Sequence, residues 1–268
     1  MAITPPRNIL FTVDVEEFDT AVEYGHPLSL SEQIAVSTKG LRLLADRFDA
    51  LQARTTLFTT ANYALHETEL MKRLAKKHEI ASHGYYHSTF DPADLTTSKK
   101  ALEDLLGQPI RGFRRARMGE TNVDDLVAAG YVYNSSLHPT FIPGRYNHWG
   151  EPRLPFREKT IWQIPASVTP RIRLPLFWLS LKNFPFSVYK QLCLQTLRAD
   201  GFVNLYVHPW EFTDLVEFDK IPAYVKRHSH DALLDRVESL LKFLKQHGDY
   251  TTMGEFTETL SSPKHLFS

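Results

Sequence analysis

The sequence predicts an α/β protein, a distorted (β/α) barrel of seven strands with a metal site at the carboxyl ends of those strands. Short apolar runs alternate with stripes of helical period six or more times, the pattern of a parallel sheet covered by helices on both faces. Alternation alone fits an open sheet as well as a closed one. The second observation is where the chemistry falls: Asp14-Val15-Glu16, His83-Gly84-Tyr85-Tyr86-His87 and His208-Pro209-Trp210-Glu211 each lie at or just past an apolar run. In barrels that end of the strands carries the active site.

The elements follow in order from periodicity. Residues 8–13 are an apolar run and the first strand; 31–48, with Ile34, Leu41, Leu44 and Phe48 on one face, form a helix. Residues 55–59 are the next strand, 67–77 a helix carrying Leu70, Met71 and Leu74, and 79–82 a strand ending at His83. A helix near 98–106, a short strand at 110–113, a helix at 123–129 closed by Gly130 and a strand at 131–133 continue the alternation. From 138 to 170 the chain is rich in proline and scattered aromatics, too long for a simple connector, and is expected to shape the mouth of the site. Helical spacing resumes at 186–199, followed by a strand at 202–207, a helix at 232–246 and a last short strand at 250–253. No repeat or low-complexity linker divides the chain, so residues 1–268 are expected to form one catalytic domain with a loop-rich insertion at about 138–185.

With 31 basic and 31 acidic side chains the formal net charge is zero, so no overall field attracts nucleic acid, and the arginines 111, 114, 115 and 117 are expected to act locally. The single cysteine, Cys193, lies in an apolar helical pattern and is expected to be buried and inert. Met1 to Arg7 lacks the basic start and apolar stretch of a cleavable signal, and no transmembrane segment is expected. A cytoplasmic, membrane-proximal location follows as an expectation. Residues 172–186 are apolar but proline-broken. They are expected to cap the core or form a homo-oligomer interface near Trp178, with contact to lipid or a lipid-linked substrate as the alternative.

The motifs supply the residue types of a hydrolytic metal site. His83 and His87, four positions apart, face one ion if the chain between them makes a helical turn. Alternate side chains of an extended segment share a side, so Asp14 and Glu16 point inward while Val15 and Glu17 point away. One carboxylate can bind metal while the other accepts a proton, and an arginine beside Asp14 would keep it ionised. His208 ends a strand that Pro209 stops. Glu211 is either a solvated charge or the orienting partner of a site imidazole. Trp210 is either core packing or a substrate contact. Within Pro143-Gly144-Arg145-Tyr146-Asn147, Arg145, Tyr146 and Asn147 either contact sugar or turn the loop.

Together these residues resemble the polysaccharide deacetylase family, the chitin-deacetylase-like metal-dependent carbohydrate esterases, over roughly residues 9–253. Thr12-Val13-Asp14-Val15-Glu16 resembles the first motif, which implies Asp14 as base and Glu16 as a metal ligand. Ser82-His83-Gly84-Tyr85-Tyr86-His87 resembles the second, implying His83 and His87 as ligands. Gly112-Phe113-Arg114 looks like the third, with Arg114 orienting the base, and Leu205-Tyr206-Val207-His208 like the fifth, with His208 as acid and Leu205 lining the acetyl pocket. Val15 separates the two acids, as in a subgroup with a one-residue spacer, and no proline follows Arg114 closely. The resemblance implies a divalent metal, zinc by default with cobalt or nickel as alternatives, and an acetylated amino-sugar substrate, free, polymeric or lipid-linked. A cyclic amide or amidine hydrolase on the same scaffold and a catalytically silent carbohydrate-binding protein are the alternatives.

Overall fold

The computed structural model describes residues 7–261; Met1 to Pro6, most of the stretch read for an export signal, lie outside the described residues. The first half runs β1 (Asn8–Val15), α1 (Thr20–Glu23), α2 (Leu30–Leu51), β2 (Thr56–Thr59), α3 (Ala61–His66), α4 (Thr68–Leu74), β3 (Glu79–Ser82), α5 (Asp94–Leu106), β4 (Gly112–Phe113), α6 (Val123–Ala128) and β5 (Tyr133–Asn134). Two short hairpins follow, β6 (Phe141–Ile142) with β7 (Tyr146–Asn147) and β8 (Phe156–Glu158) with β9 (Ile161–Gln163). The chain closes with α7 (Trp178–Asn183), α8 (Phe186–Asp200), β10 (Phe202–Val207), α9 (Ala223–Lys226), α10 (Asp231–Lys245), β11 (Asp249–Tyr250) and α11 (Met253–Ser261).

Seven strands follow one another in parallel in the order β10-β1-β2-β3-β4-β5-β9 and form a distorted, curled barrel; six of them match expected strands, whereas β9 falls within the stretch 138–170 expected to be irregular. Among the described residues the sheet has nine strands rather than seven because β8 adds an antiparallel edge and β11 pairs with Asn8 and Ile9 of β1. Past β9 the chain reaches across to β10: the Ser167 N–H donates to the Asn204 carbonyl at 2.9 Å, and the Asn204 N–H to Ser167 Oγ at 2.8 Å. These bonds draw the two ends of the sheet together.

Strand alternation sorts the side chains into two compartments. Ile9, Phe11, Val13 and Val15 of β1, with Val203, Leu205 and Val207 of β10, join the main core between sheet and helices. Leu10 and Phe202 face the barrel interior with Phe58, Tyr133, Met253 and Phe256, forming an apolar floor. Further up the same inner faces come Thr12, Asp14, Asn204 and Tyr206, so the interior changes from apolar to polar toward the carboxyl ends. The floor is plugged by α11. The sequence predicts a strand at 250–253 there, but only Tyr250 pairs, and Met253 opens a helix whose Met253 and Phe256 the floor buries.

Local chemistry sets the helix boundaries. α2 begins with a capping box, Ser29 and Glu32 each bonding the other's backbone N–H. The helix expected at 67–77 is α4, and α3, which is not expected from the sequence, precedes it because Thr60 caps an earlier turn by accepting from the Tyr63 N–H. Gly40 in α2 lies against the turn Pro209–Phe212; a Cβ there would come within 1.8 Å of the Pro209 carbonyl oxygen. Only glycine lets α2 support the turn that follows His208. Cys193 is buried, as expected, and burial pushes its thiol pKa well up.

Candidate active site

At the carboxyl ends of the strands the barrel opens into a cavity of about 330 Å³. β1 delivers Asp14 to its base and Glu16, just past the strand, to its wall, while Val15 packs outward and Glu17 accepts from Thr60 and Asn62. Arg114, just past β4, is fully buried beneath Asp14. Its Nη1 donates to Asp14 Oδ1 at 2.6 Å and to Thr12 Oγ1 at 2.8 Å, its Nε to the Ser135 carbonyl at 3.1 Å and its Nη2 to Ser135 Oγ at 3.0 Å. A guanidinium so fully satisfied cannot swing away, so Asp14 keeps its direction. Removing one member of such a buried pair costs about 3–5 kcal/mol.

His83 and His87 meet Glu16 in the same wall. No helical turn joins them; the loop after β3 bends at Gly84, whose φ of +88° suits glycine, and the two rings lie 5.9 Å apart at 18°. Each imidazole is held by its Nδ1. His83 Nδ1 donates to the Arg114 carbonyl at 2.8 Å and His87 Nδ1 to Asp19 Oδ1 at 2.8 Å. Both Nε2 atoms therefore present themselves to Glu16 Oε2, at 3.3 and 3.1 Å. Trp210 Nε1 donates to the other Glu16 oxygen at 3.1 Å.

One ligand atom from each of Glu16, His83 and His87 lies within 4.8 Å of the others, and Glu16 Oε2 and His83 Nε2 are buried without a hydrogen-bond partner among the described residues. Three donors aimed at one point, two of them orphaned and both rings fixed by an acceptor on the far nitrogen, fit a divalent cation. With no cation, the cluster can be relieved only by protons. Burial pushes Glu16 up, but His87, His208 and His83 together draw it down to about 2. Burial likewise opposes charge on His87, yet Glu16 and Asp19 raise it to about 9.

His208 completes the cavity from the end of β10. Glu211 Oε1 accepts from its backbone N–H at 2.8 Å and from its Nδ1 at 3.0 Å, which leaves Nε2 for the cavity. Its ring is stacked on Trp210 and met edge-on by Trp178, each at 5.3 Å. Burial disfavours the imidazolium, but Glu16, Glu211 and Asp14 outweigh it and raise the pKa. Behind Glu211 lies Lys182, fully buried, with Nζ 3.4 Å from Glu211 Oε2. Burial lowers the Lys182 pKa and Glu211 opposes the shift.

No family model matches this sequence, and no curated protein resembles it. Solved structures do. One assigned as a polysaccharide deacetylase from Mycobacterium smegmatis superposes with a TM-score of 0.64 at 20% identity, covering 98% of this chain and 94% of its own. Another assigned so, from Pseudomonas aeruginosa, gives 0.66 at 16% identity, with 99% and 97% covered. The chain has the polysaccharide deacetylase fold. The same deacetylase fold serves Puue allantoinase, which superposes at 0.68 with 16% identity, 99% and 96% covered.

Within this deacetylase fold, Asp14, Glu16, His83, His87, Arg114 and His208 all converge as residues of one site, and Trp210, Arg145 and Tyr146 line its cavity. Leu205 and Asn147 are not in the cavity wall. Leu205 alternates outward from β10 into the helix-facing core, and its neighbour Tyr206 takes the inward position. Asn147 points out of the β6–β7 hairpin, its side chain accepting from the Trp149 N–H. The apolar stretch 172–186 caps the cavity through Phe177, Trp178 and Leu179. Among the described residues no helix is long and apolar enough to cross a membrane. Sequence reasoning passed over Asp19 as one more acid, and Tyr206, which the two-residue spacing from His208 could have placed inward; nothing in the sequence singles out Lys182.

Proposed function

We propose that the protein is a metal-dependent hydrolase that removes the acetyl group from an N-acetylated sugar of a polysaccharide or its precursor. The carrying observation is that a cation-ready donor set lies in one cavity with a carboxylate locked by Arg114 and a histidine locked by Glu211. Those are the parts of an amide hydrolysis that needs a base and an acid.

Glu16, His83 and His87 would hold the ion. A divalent cation there, zinc by default and cobalt or nickel also suited to these donors, would polarise the acyl carbonyl and acidify water. Asp14, held in direction by Arg114, takes a proton from water as the water oxygen bonds to the acyl carbon. The C–N bond then breaks, and His208 gives its Nε2 proton to the departing sugar nitrogen. Acetate and a free amine result. Glu211 fixes the ring so that Nε2 faces the nitrogen and supports the charge His208 carries before transfer. A silent binding protein would have no use for a base and an acid held this rigidly.

The test is acetate release from a panel of N- and O-acetylated sugars by chelated protein, before and after zinc or cobalt is restored. Metal-dependent release is expected. The structural likeness to an allantoinase favours one second reading, cleavage of a cyclic amide. No acetate from protein holding one metal per chain, with turnover of cyclic amides in the same assay, would replace the first reading by the second.

A further inference from the structure

We infer that the site takes its acylated sugar end-on, as a single residue or the terminal unit of a chain, and excludes the internal units of a polymer, an inference resting on the acetyl-sugar reading above. Around the cavity mouth five segments form a collar, its neighbours in contact directly or, between the turn Ala116–Met118 and the β6–β7 hairpin, through the cluster around Tyr206. Glu23 of α1 is bonded by Arg117 from the turn Ala116–Met118. Met118, next in that turn, belongs to a cluster with Tyr206 against which Tyr146 of β7 packs. The Tyr146 hydroxyl is bonded to Nδ1 of the buried His138 at 2.8 Å, and the His138 ring meets Phe177, at the start of α7, edge-on at 5.3 Å. At the far end of α7, Asn183 Nδ2 donates to the Tyr224 carbonyl of α9 at 2.9 Å. The Tyr224 side chain interacts with that of Tyr24, the residue closing α1, and the ring is complete.

All five segments contribute to the cavity wall. A site for a mid-chain sugar must be a groove open at two opposite ends, because the polymer leaves the reacting unit in two directions. A collar has one opening. At about 330 Å³ the cavity also lies near the lower end of the roughly 300–1,000 Å³ of ligand pockets, room for one small ligand rather than a run of sugar units. Two parts of the collar are locked from behind: burial, with Arg114 and His148, holds His138 neutral with its pKa lowered to about 3, and Tyr146 is stacked on His148 at 4.7 Å. The hairpin is thereby a fixed wall. A free sugar, a sugar linked to a lipid phosphate and the end of an oligosaccharide share the required chemistry, a single acylated unit with one free side.

The experiment uses zinc-loaded full-length protein with N-acetylglucosamine, its polyisoprenyl-phosphate conjugate, its hexamer, and a hexamer bearing bulky non-sugar caps at both ends. Tandem mass spectrometry locates the freed amine. Release confined to terminal units is expected, with the first two probes telling free sugar from lipid-linked; an internal amine in either hexamer overturns the proposal. Binding to the Asp14→Asn protein separates this outcome from loss of turnover. The capped hexamer should bind roughly tenfold or more weakly than the uncapped one, and equal binding overturns the proposal. Neither turnover nor binding of any probe removes the acetyl-sugar reading, and the proposal with it. The double variant Tyr24→Ala/Tyr224→Ala opens the collar between α1 and α9 and should gain internal products, a gain that misfolding cannot imitate. Terminal products alone from that variant would show that the collar is not what restricts the substrate.

Discussion

At the mouth of the barrel Glu16 is drawn down to about 2 and His87 raised to about 9, whereas at the opposite end, where the strands begin, Glu79 is raised and His78 lowered to about 4. Burial pushes all four toward neutrality; the partners differ. Glu16 faces imidazoles and His87 faces carboxylates, so each stabilises the other's charge. Glu79 accepts from Thr56 Oγ1 at 2.7 Å, the Gly254 N–H at 2.9 Å and the Tyr133 hydroxyl at 2.9 Å, all neutral, and burial prevails over these bonds and over the weaker pull of the Arg111 charge. His78 Nδ1 meets Thr55 Oγ1 at 3.2 Å, and its Nε2 is buried without a hydrogen-bond partner among the described residues. The same residue types thus make a charged, metal-ready cluster at one end and, at the other, a brace in which burial disfavours charge. A buried carboxylate keeps its charge where a cation faces it, not merely where hydrogen bonds do.

The hardest break of that contrast is at the mouth. His83→Ala should abolish both metal retention and turnover, read as metal per chain by atomic spectroscopy beside an acetate assay; one metal per chain in the variant would remove His83 from the donor set. Asp14→Asn should keep the metal but lose about 10⁴-fold in kcat, the scale of removing one member of a catalytic unit. Unchanged turnover would sink Asp14 as base. His208→Ala should lose roughly 10²- to 10⁴-fold with metal retained, the range of a general acid. Loss of metal instead would make His208 a ligand.

Much of this was legible in the sequence because period and position survive without three-dimensional knowledge. β10 runs over residues 202–207 as its apolar run predicts, and the inward alternation of Asp14 and Glu16 follows from strand geometry. The same rule, applied to β10, would have placed Tyr206 rather than Leu205 in the cavity wall. Contacts between distant segments were not legible: Lys182 is read as part of an apolar stretch, yet it ends 3.4 Å from Glu211, twenty-nine positions on, because α7 folds over the cavity. Nor could spacing show that His83 and His87 approach through a loop rather than a helical turn, since Gly84 takes a left-handed conformation only the fold requires. α11 stayed hidden because its apolar face is short and meaningful only against the barrel floor.

A smaller effect separates the two ends by pH. His78 is held neutral in the folded chain, so below its unfolded pKa of 6.5 the unfolded state binds the extra proton. Its contribution is complete above 6.5 and is lost as pH falls toward about 4, roughly 3 kcal/mol for a shift of this size. His87 in metal-free protein has the opposite sign: its contribution is full below 6.5 and lost as pH rises through about 9. Urea unfolding of chelated protein should therefore weaken on both sides. His78→Gln should flatten the acid limb only, and zinc, which displaces the proton of His87, should flatten the alkaline limb. An acid limb unchanged by His78→Gln would place its origin elsewhere.

The smallest effect on turnover is expected at Glu79. Glu79→Gln keeps the shape and one acceptor oxygen while removing a charge that burial already disfavours, and the residue lies at the far end of the barrel from Asp14 and His208. Acetate release should stay within about twofold of wild type while stability changes by about 1–2 kcal/mol, the cost of re-satisfying the Thr56, Gly254 and Tyr133 donors around an amide. The pairing of β2, β3 and β5 with α11 passes through those donors, so the stability change should appear as earlier thermal unfolding with the metal still bound. A large loss of turnover at unchanged stability would mean that the floor's proton state is felt at the mouth, and the two ends would then have to be treated as one electrostatic unit through the buried Tyr133 and Arg114.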